Sequence, residues 1–450
     1  MTRPRREIRL NAFDMACPGH IQQGLWRHPR DQSARYAELG YWTDLARLLE
    51  RGLFDGLFLA DVLGVYDVYG GTPEAALRGG VQVPLLDPLL LVPAMAGVTA
   101  HLGFGVTCNL TYESPALFAR RMSTLDHLTQ GRIGWNVVTG YLDSAARAMG
   151  QDGQRRHDDR YDVADEFLAV VYGLWESGWA DDAVVRDRAA GVYADPSLVK
   201  TLRHDGAYFR SEAVHLCEPS PQRTPVLFQA GASDRGRAFA ATHAECVFVN
   251  GSTPDIVAGL VSDLRARAAP RAIKVFVGAT LVVGRTEAEA QALLADYAAY
   301  ADEEATLAHA SASLGFDFAS VGMDDPIVIE GSQAIRSNVE AMARTAGPAW
   351  TKRKLLAQSV LGSRQKPIVG DPAQVADALV HWMNVADVDG FNLSRTVMPE
   401  CLQAVIALLV PVLQEQGLYK TQYVPGTYRE KLFGEGPRLP ASHAARRMSC

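Results

Sequence analysis

The chain has 450 residues, 48% of them hydrophobic and 21% charged, with 51 acidic against 44 basic side chains and a formal charge of −7. This is the composition of a folded globular protein, and its mildly acidic balance offers no attraction for a nucleic acid. Six scattered cysteines without a C-x-x-C pair exclude a disulfide framework or zinc ribbon. With no signal-peptide core behind the basic start, they read as reduced cytoplasmic thiols. The longest apolar stretch, 83–100, contains Asp87 and three prolines and is no membrane span.

Short apolar runs alternate with helical patterns from one end of the chain to the other. A run at 8–13 is followed by a helix at 41–51, and runs at 56–60 and 102–106 by a helix at 116–128. Next come a run at 133–138, a helix at 161–175, a run at 226–229, a helix at 236–244, a run at 246–249 and a helix at 256–268. The last runs, 273–283 and 388–393, enclose helices at 287–300 and 373–382 and precede one at 400–416. The runs are rich in Val, Ile, Leu and Phe without clean alternation, which predicts strands covered on both faces, as in a parallel sheet.

Length alone would allow three domains, but eight such strands with helices between them predict one α/β domain over 1–450, a (β/α)8 TIM barrel. A doubly wound sheet is the alternative, because periodicity does not show closure. Polar residues in or just after the runs favour the barrel: Asp61, Thr107, Asn109, Asn136, Thr139, Ser233, Asn250, Asn392 and Ser394. Barrel chemistry sits at the carboxyl ends of the strands. Segments 66–84, 176–225 and 301–368 read as insertions and 417–450 as a C-terminal arm. Such loops build lids, pockets or subunit contacts.

Several motifs are absent: H-E-x-x-H, G-x-S-x-G, and a strand-linked G-x-G-x-x-G with its acidic partner. Nothing suggests a metal. The segment from Gly231 to Arg237 resembles a P-loop, but it has Arg where Lys is needed and lacks the following hydroxyl, which excludes nucleotide hydrolysis. It still places Gly231, Ala232 and Ser233 at a helix start, where free amides and the helix dipole suit one phosphate. The plainer alternative is an N-cap by Ser233. His157 and Tyr161, four apart, share a helix face and could grip a phosphate from the other side, though exposed His–Tyr pairs are common.

Six segments, in order, carry a resemblance across nearly the whole chain. They are GLWRHP (24–29), LFLAD (57–61), RRMSTLDHLTQGRIGWNVVTG (120–140), HDDRYDVADEFL (157–168), CEPSPQRTPVLFQAGASDRGRAFAATHAE (217–245) and VDGFNL (388–393). Together they resemble the bacterial luciferase-like flavin monooxygenases, in the nitrilotriacetate and dibenzothiophene-sulfone monooxygenase group. LNAFDMACPGHI (10–21) and ADVLGVYDVY (60–69) are most similar to the long-chain alkane and dimethyl sulfide enzymes of that group. The resemblance implies a TIM barrel, usually a homodimer or homotetramer, that inserts oxygen from O2 using reduced FMN. A separate NADH-dependent flavin reductase supplies the FMNH2.

By motif, the resemblance sets Asp61 and Thr107 against the isoalloxazine and ribityl chain. It gives the FMN phosphate to His157, Tyr161, Ser233 and the amides around Gly231 and Ala232. Cys17, His20, Tyr66 and His309 become candidate catalytic residues, and Trp26, Gln82 and Tyr141 candidate pocket residues. His20 or His309 could protonate the activated oxygen while Tyr66 and Trp26 shield it. The structural alternatives are packed aromatics and a buried histidine. Tyr141-Leu142 resembles the sulfide enzymes, where the alkane enzymes have a histidine, so the expected substrate is a small apolar or organosulfur compound. A deazaflavin-dependent oxidoreductase on the same barrel and an idle flavin-binding protein are the rival readings.

Overall fold

All eight apolar runs form strands in a computed structural model of the chain, which describes residues 6–231, 233–327, 350–363 and 365–447. In chain order they are β1 (Arg9–Met15), β2 (Gly56–Ala60), β3 (Gly103–Asn109), β4 (Ile133–Val138), β5 (Val226–Gln229), β6 (Cys246–Val249), β7 (Lys274–Val283) and β8 (Gly390–Ser394). Every neighbour is parallel. β1 pairs with both β2 and β8, and β6 pairs with β7, so the ring closes and the doubly wound alternative falls. A short outer strand, Ile368–Gly370, extends the end of β7.

Helices α1 (Leu39–Arg51), α2 (Pro115–Leu128), α3 (His157–Tyr172), α4 (Asp234–His243), α5 (Pro254–Ala268), α6 (Glu287–Ala298), α7 (Glu303–Leu314) and α8 (Pro372–Ala386) lie between the strands. Their starts follow local chemistry. Pro115 and Pro254 open α2 and α5, the Thr286 hydroxyl caps α6, and Asp371 with Gln374 forms a capping box on α8. α3 begins at His157, four residues before the apolar periodicity does. Its first turn carries Asp158 and Asp159, polar residues that suit the positive end of a helix.

Side chains alternate between two cores. Leu57, Leu59, Phe104, Val106, Leu227, Val247, Val275 and Val277 point outward into the layer shared with the helices. Phe58, Val226, Phe228, Cys246, Phe248 and Phe276 point inward. Burying each such side chain stabilises the fold by about 1.5–3 kcal/mol. Inward-facing glycines make room for these rings: a Cβ on Gly105 would lie 2.5 Å from Phe58, and one on Gly134 2.6 Å from Phe228.

The floor of the barrel comes from the C-terminal arm. Helix α9 (Glu400–Ala404) runs through a π turn, Val405–Leu409, into Val410–Glu415, and the chain then crosses beneath the strands to α10 (Tyr428–Phe433). Tyr428 and Leu432 of α10 enter the inner core beside Val226 and Cys246, the first residues of β5 and β6. A Cβ on Gly103, the first residue of β3, would meet the Tyr428 ring at 2.5 Å. Arg429 pairs with Glu245 at 2.6 and 2.9 Å and donates to the carbonyls of Thr224 and Pro437 at 3.0 and 2.6 Å. The His443 Nε2–H donates to the His243 carbonyl at 2.9 Å, pinning the arm's far end.

The insertions carry more structure than a loop reading expects. Segment 66–84 holds a short helix, Glu74–Gly79, and the described part of 301–368 holds α7 and Lys352–Gln358. Segment 176–225 forms two antiparallel hairpins, Val184–Asp187 with Val192–Ala194 and Thr201–Asp205 with Arg210–Val214. Their strands are short and largely exposed, which is why no apolar run marks them. Among the described residues, no helix is long and apolar enough to cross a membrane.

Candidate active site

Two groups of side chains gather at the carboxyl ends of the strands. The first surrounds the start of α4. After β5 the chain turns through Gly231, whose N–H donates to Gln229 Oε1 at 2.7 Å, and Ser233 caps α4 by accepting from the Gly236 N–H at 3.1 Å. Ser233 Oγ lies 3.4 Å from His157 Nε2 on the first turn of α3. Tyr161, one turn further on, stacks edge-on against His157 at 5.4 Å, and its hydroxyl would lie 3.0 Å from a Cβ on Gly231. The glycine thus lets the backbone approach the phenol closely. Hydroxyl, phenol, imidazole and a helix N-terminus converge as a donor set suited to a phosphate. Ala232 lies outside the described residues.

The second group lies over the mouth between β1, β2 and β4. Tyr66 Oη donates to Gln82 Oε1 at 2.5 Å, which uses the only phenolic proton of Tyr66. The 2.7 Å contact between Tyr66 and Tyr141 is therefore a donation from Tyr141. Gln82 Nε2 donates to the His20 carbonyl at 3.2 Å and faces His309 Nε2 at 3.4 Å, so that ring nitrogen is the acceptor. Polarity runs in one direction, from Tyr141 through Tyr66 and Gln82 to His309. Burial raises both phenols, Tyr141 to about 12, so both stay protonated at neutral pH. Gln82 holds a φ of 52°, a left-handed conformation disfavoured for a non-glycine residue, of the kind that collects at functional sites.

His309 reaches this cluster from α7, which starts at the Asp302 cap and ends at Gly315 with φ 64°. Nearly every side chain of α7 is small and buried. A Cβ on Gly79 would lie 2.7 Å from Ala305 Cβ, so the helix Glu74–Gly79 and α7 pack closely as a roof. Val62, Leu63, Val81, Val83 and Leu142 give the cluster an apolar surround.

His20 sits edge-on to Phe13 at 4.5 Å, and burial, then Arg395 and His309, hold it well below the usual histidine range. It is neutral. Cys17 donates to the Gly19 carbonyl at 3.2 Å, and burial pushes its thiol up to about 12, so it is no thiolate at neutral pH. Asp61 follows β2; burial first, then Asp87, raises its carboxyl to about 7, where it can either donate or accept a proton. Thr107 Oγ1 accepts from Asn136 Nδ2 at 2.9 Å across β3 and β4. Trp26 stands apart from the phenol cluster, its indole N–H donating to the Gly79 carbonyl at 2.9 Å.

Arg395, just after β8, was not among the expected site residues. Its Nε pairs with Asp14 Oδ1 at 2.9 Å, and its Nη2 donates to the carbonyls of Cys17 and Pro18 at 2.7 and 2.9 Å. It thereby fixes the loop that carries Cys17 and His20. An arginine directly after an apolar strand was the available signal. Gln22, Thr280 and Gln365 form a further amide–hydroxyl chain at the mouth, at 2.9 and 2.8 Å. No group of three His, Cys, Asp or Glu that could hold a metal occurs among the described residues.

A closed parallel barrel with a phosphate-type donor set after β5 defines a cofactor-binding TIM-barrel enzyme. Residues 14–387 match the luciferase-like monooxygenase family, and the chain belongs to that family. It is 48% identical to the long-chain alkane monooxygenase of Geobacillus thermodenitrificans (strain NG80-2), covering 98% of each chain. It is 45% identical to the dimethyl-sulfide monooxygenase of Hyphomicrobium sulfonivorans, covering 98% of this chain and 93% of that one. A riboflavin lyase crystallised with modified FMN and riboflavin superposes with a TM-score of 0.93 at 37% identity, over 99% of this chain and 100% of that one. The chain is a luciferase-like monooxygenase that uses reduced FMN and O2. The deazaflavin alternative is set aside.

Proposed function

We propose that this monooxygenase oxygenates a small apolar or organosulfur compound, dimethyl sulfide-like or alkane-like, at the mouth between β1, β2 and β4. The observation that carries this reading is the directed chain Tyr141–Tyr66–Gln82–His309 set in an apolar surround under the α7 roof. Such a site binds by shape and apolar contact and offers a few fixed polar atoms to the reacting centre. Tyr141, standing where the alkane enzymes have histidine, favours the organosulfur side of that range.

On this reading His157, Tyr161, Ser233 and the amide of Gly231 hold the FMN phosphate, with Ala232 completing the turn. Asp61 and Thr107 flank the ring and ribityl chain. Reduced FMN supplies the two electrons with which O2 oxygenates the substrate and leaves one atom as water. His20, which is neutral, or His309 passes a proton at its ring nitrogen, while Tyr66 and Trp26 shield the reacting centre from bulk water. Gln82 orients the imidazole of His309, and the protonated Cys17 thiol lines the wall.

We further place the whole of 1–450 in one catalytic unit, active in the cytoplasm, with an NADH-dependent reductase as its source of FMNH2. Val185, Tyr193 and Leu216 on and beside the hairpins are 49%, 61% and 75% exposed and supply an apolar face for a homodimer or homotetramer. The test is a panel of sulfides, alkanes, sulfones and aminopolycarboxylates with a flavin reductase present, reading oxygenated product. Turnover of a short sulfide or alkane is expected. Product only from the aminopolycarboxylates would sink the assignment.

A further inference from the structure

A narrow recess opens beside His20. Buried Gln22, Ser33, Arg395 and Thr396 line it with His20, and Trp26 and Asp31 are among its partly exposed lining residues. Four buried polar atoms of the lining residues have no hydrogen-bond partner among the described residues: His20 Nδ1, Gln22 Oε1, Arg395 Nη1 and Thr396 Oγ1. All four residues are at least nine-tenths buried, with exposures of 3%, 5%, 4% and 3%. An unmatched buried polar atom costs about 1–3 kcal/mol, so four around one recess call for a shared partner.

The charges around the recess decide what that partner is. Arg395 already has its counter-charge in Asp14, and Asp31 also lines the recess, so an anion would meet a neutralised guanidinium and a carboxylate. A cation would face the guanidinium. The remaining choice is a small neutral molecule that both donates and accepts, in a space of about one water's size. Water meets every condition. It accepts from Arg395 Nη1, donates to Gln22 Oε1, and serves His20 Nδ1 in either tautomer.

We propose that this recess is a water site through which His20 exchanges its imidazole proton with solvent, by way of the partly exposed Trp26 and Asp31. Nδ1 then takes up the proton from the recess, and Nε2, the other ring nitrogen, is left for the reacting centre. Protons can reach the buried imidazole without admitting water to the substrate side, which an oxygenase must keep dry. The assignment builds on the proposed role of His20 in the reaction, but its test does not depend on turnover.

The probe is the solvent exchange of the His20 ring N–H in the full chain, selectively 15N-labelled on histidine, with the His20→Gln variant identifying the signal. Gln22→Met and Thr396→Val each remove a polar wall atom while leaving the Arg395–Asp14 pair in place. Each is expected to slow the exchange at least tenfold without altering FMN affinity. A crystal structure is expected to show an ordered water within hydrogen-bond distance of Arg395 Nη1 and His20 Nδ1. Unchanged exchange in both folded variants, or a dry recess, overturns the proposal. Slower exchange with unaltered oxygenation upholds the water site and instead removes His20 from the reaction.

Discussion

The two ends of the barrel are built on opposite rules. At the floor, Tyr428 and Leu432 fill the space left by inward glycines, and the buried Arg429 has its bonds met by Glu245 and backbone carbonyls. At the mouth, His20 Nδ1, Gln22 Oε1 and Arg395 Nη1 are buried without partners, Gln82 is held left-handed, and Asp61 titrates near neutrality. The ring packing and the Arg429–Glu245 pair of the floor serve stability. The mouth leaves groups unsatisfied, which is what a site needs if a ligand is to complete it. The raised carboxyl of Asp61 and the left-handed backbone of Gln82 thus lie at the end that carries the candidate site.

The largest effect should come from breaking the floor's charge pair. Arg429→Met leaves the buried Glu245 carboxylate without its counter-charge, and a stability loss of about 3–5 kcal/mol is expected in urea titration. Adding Glu245→Gln should restore part of it. If Arg429→Met alone is neutral, the floor is not the sealed end described. Gly103→Ala comes next: the new methyl meets the Tyr428 ring, a crowding cost of about 1–3 kcal/mol that Tyr428→Leu in the same chain should relieve.

At the mouth, Ser233→Ala with Tyr161→Phe should cost little stability, about 1 kcal/mol for the cap, but should weaken FMN binding tenfold or more in equilibrium titration. Hydrogen bonds to a charged group are worth about 1.5–3 kcal/mol each, so unchanged affinity would take both residues out of the phosphate site. The smallest effect is in pH dependence. Asp61 has its carboxyl raised from 3.8 to about 7, so the folded chain holds this proton more tightly than the unfolded one. Its contribution is therefore lost as pH rises from about 4 through about 7. Asp61→Asn should flatten the melting temperature against pH across that window; a profile parallel to the parent would contradict the shift.

Legibility in the sequence divides along the same line. The strands could be read because each is buried on both faces, so a plain apolar run marks it. Closure could not, since it rests on the register between Cys246 and Lys274 and their neighbours. Helix α10 is too short at six residues to show periodicity; only the capping box of Thr427 and Glu430 announces it. Half of the candidate site was readable locally, because Ser233 caps a helix and His157 and Tyr161 are one turn apart. The cluster of Tyr66, Gln82, Tyr141 and His309 is assembled from distant loops and was reached through family resemblance alone. Arg395 escaped because its partners Asp14, Cys17 and Pro18 lie at the other end of the chain.

The arm that closes the floor also sets an order of assembly. Tyr428 and Leu432 follow every barrel strand in the chain, yet they pack into the inner core beside Val226 and Cys246. A growing chain therefore makes all eight strands before it makes the side chains that close them from below. A chain ended at residue 417 would keep every strand and every proposed cofactor contact and still lack the ring that holds them apart.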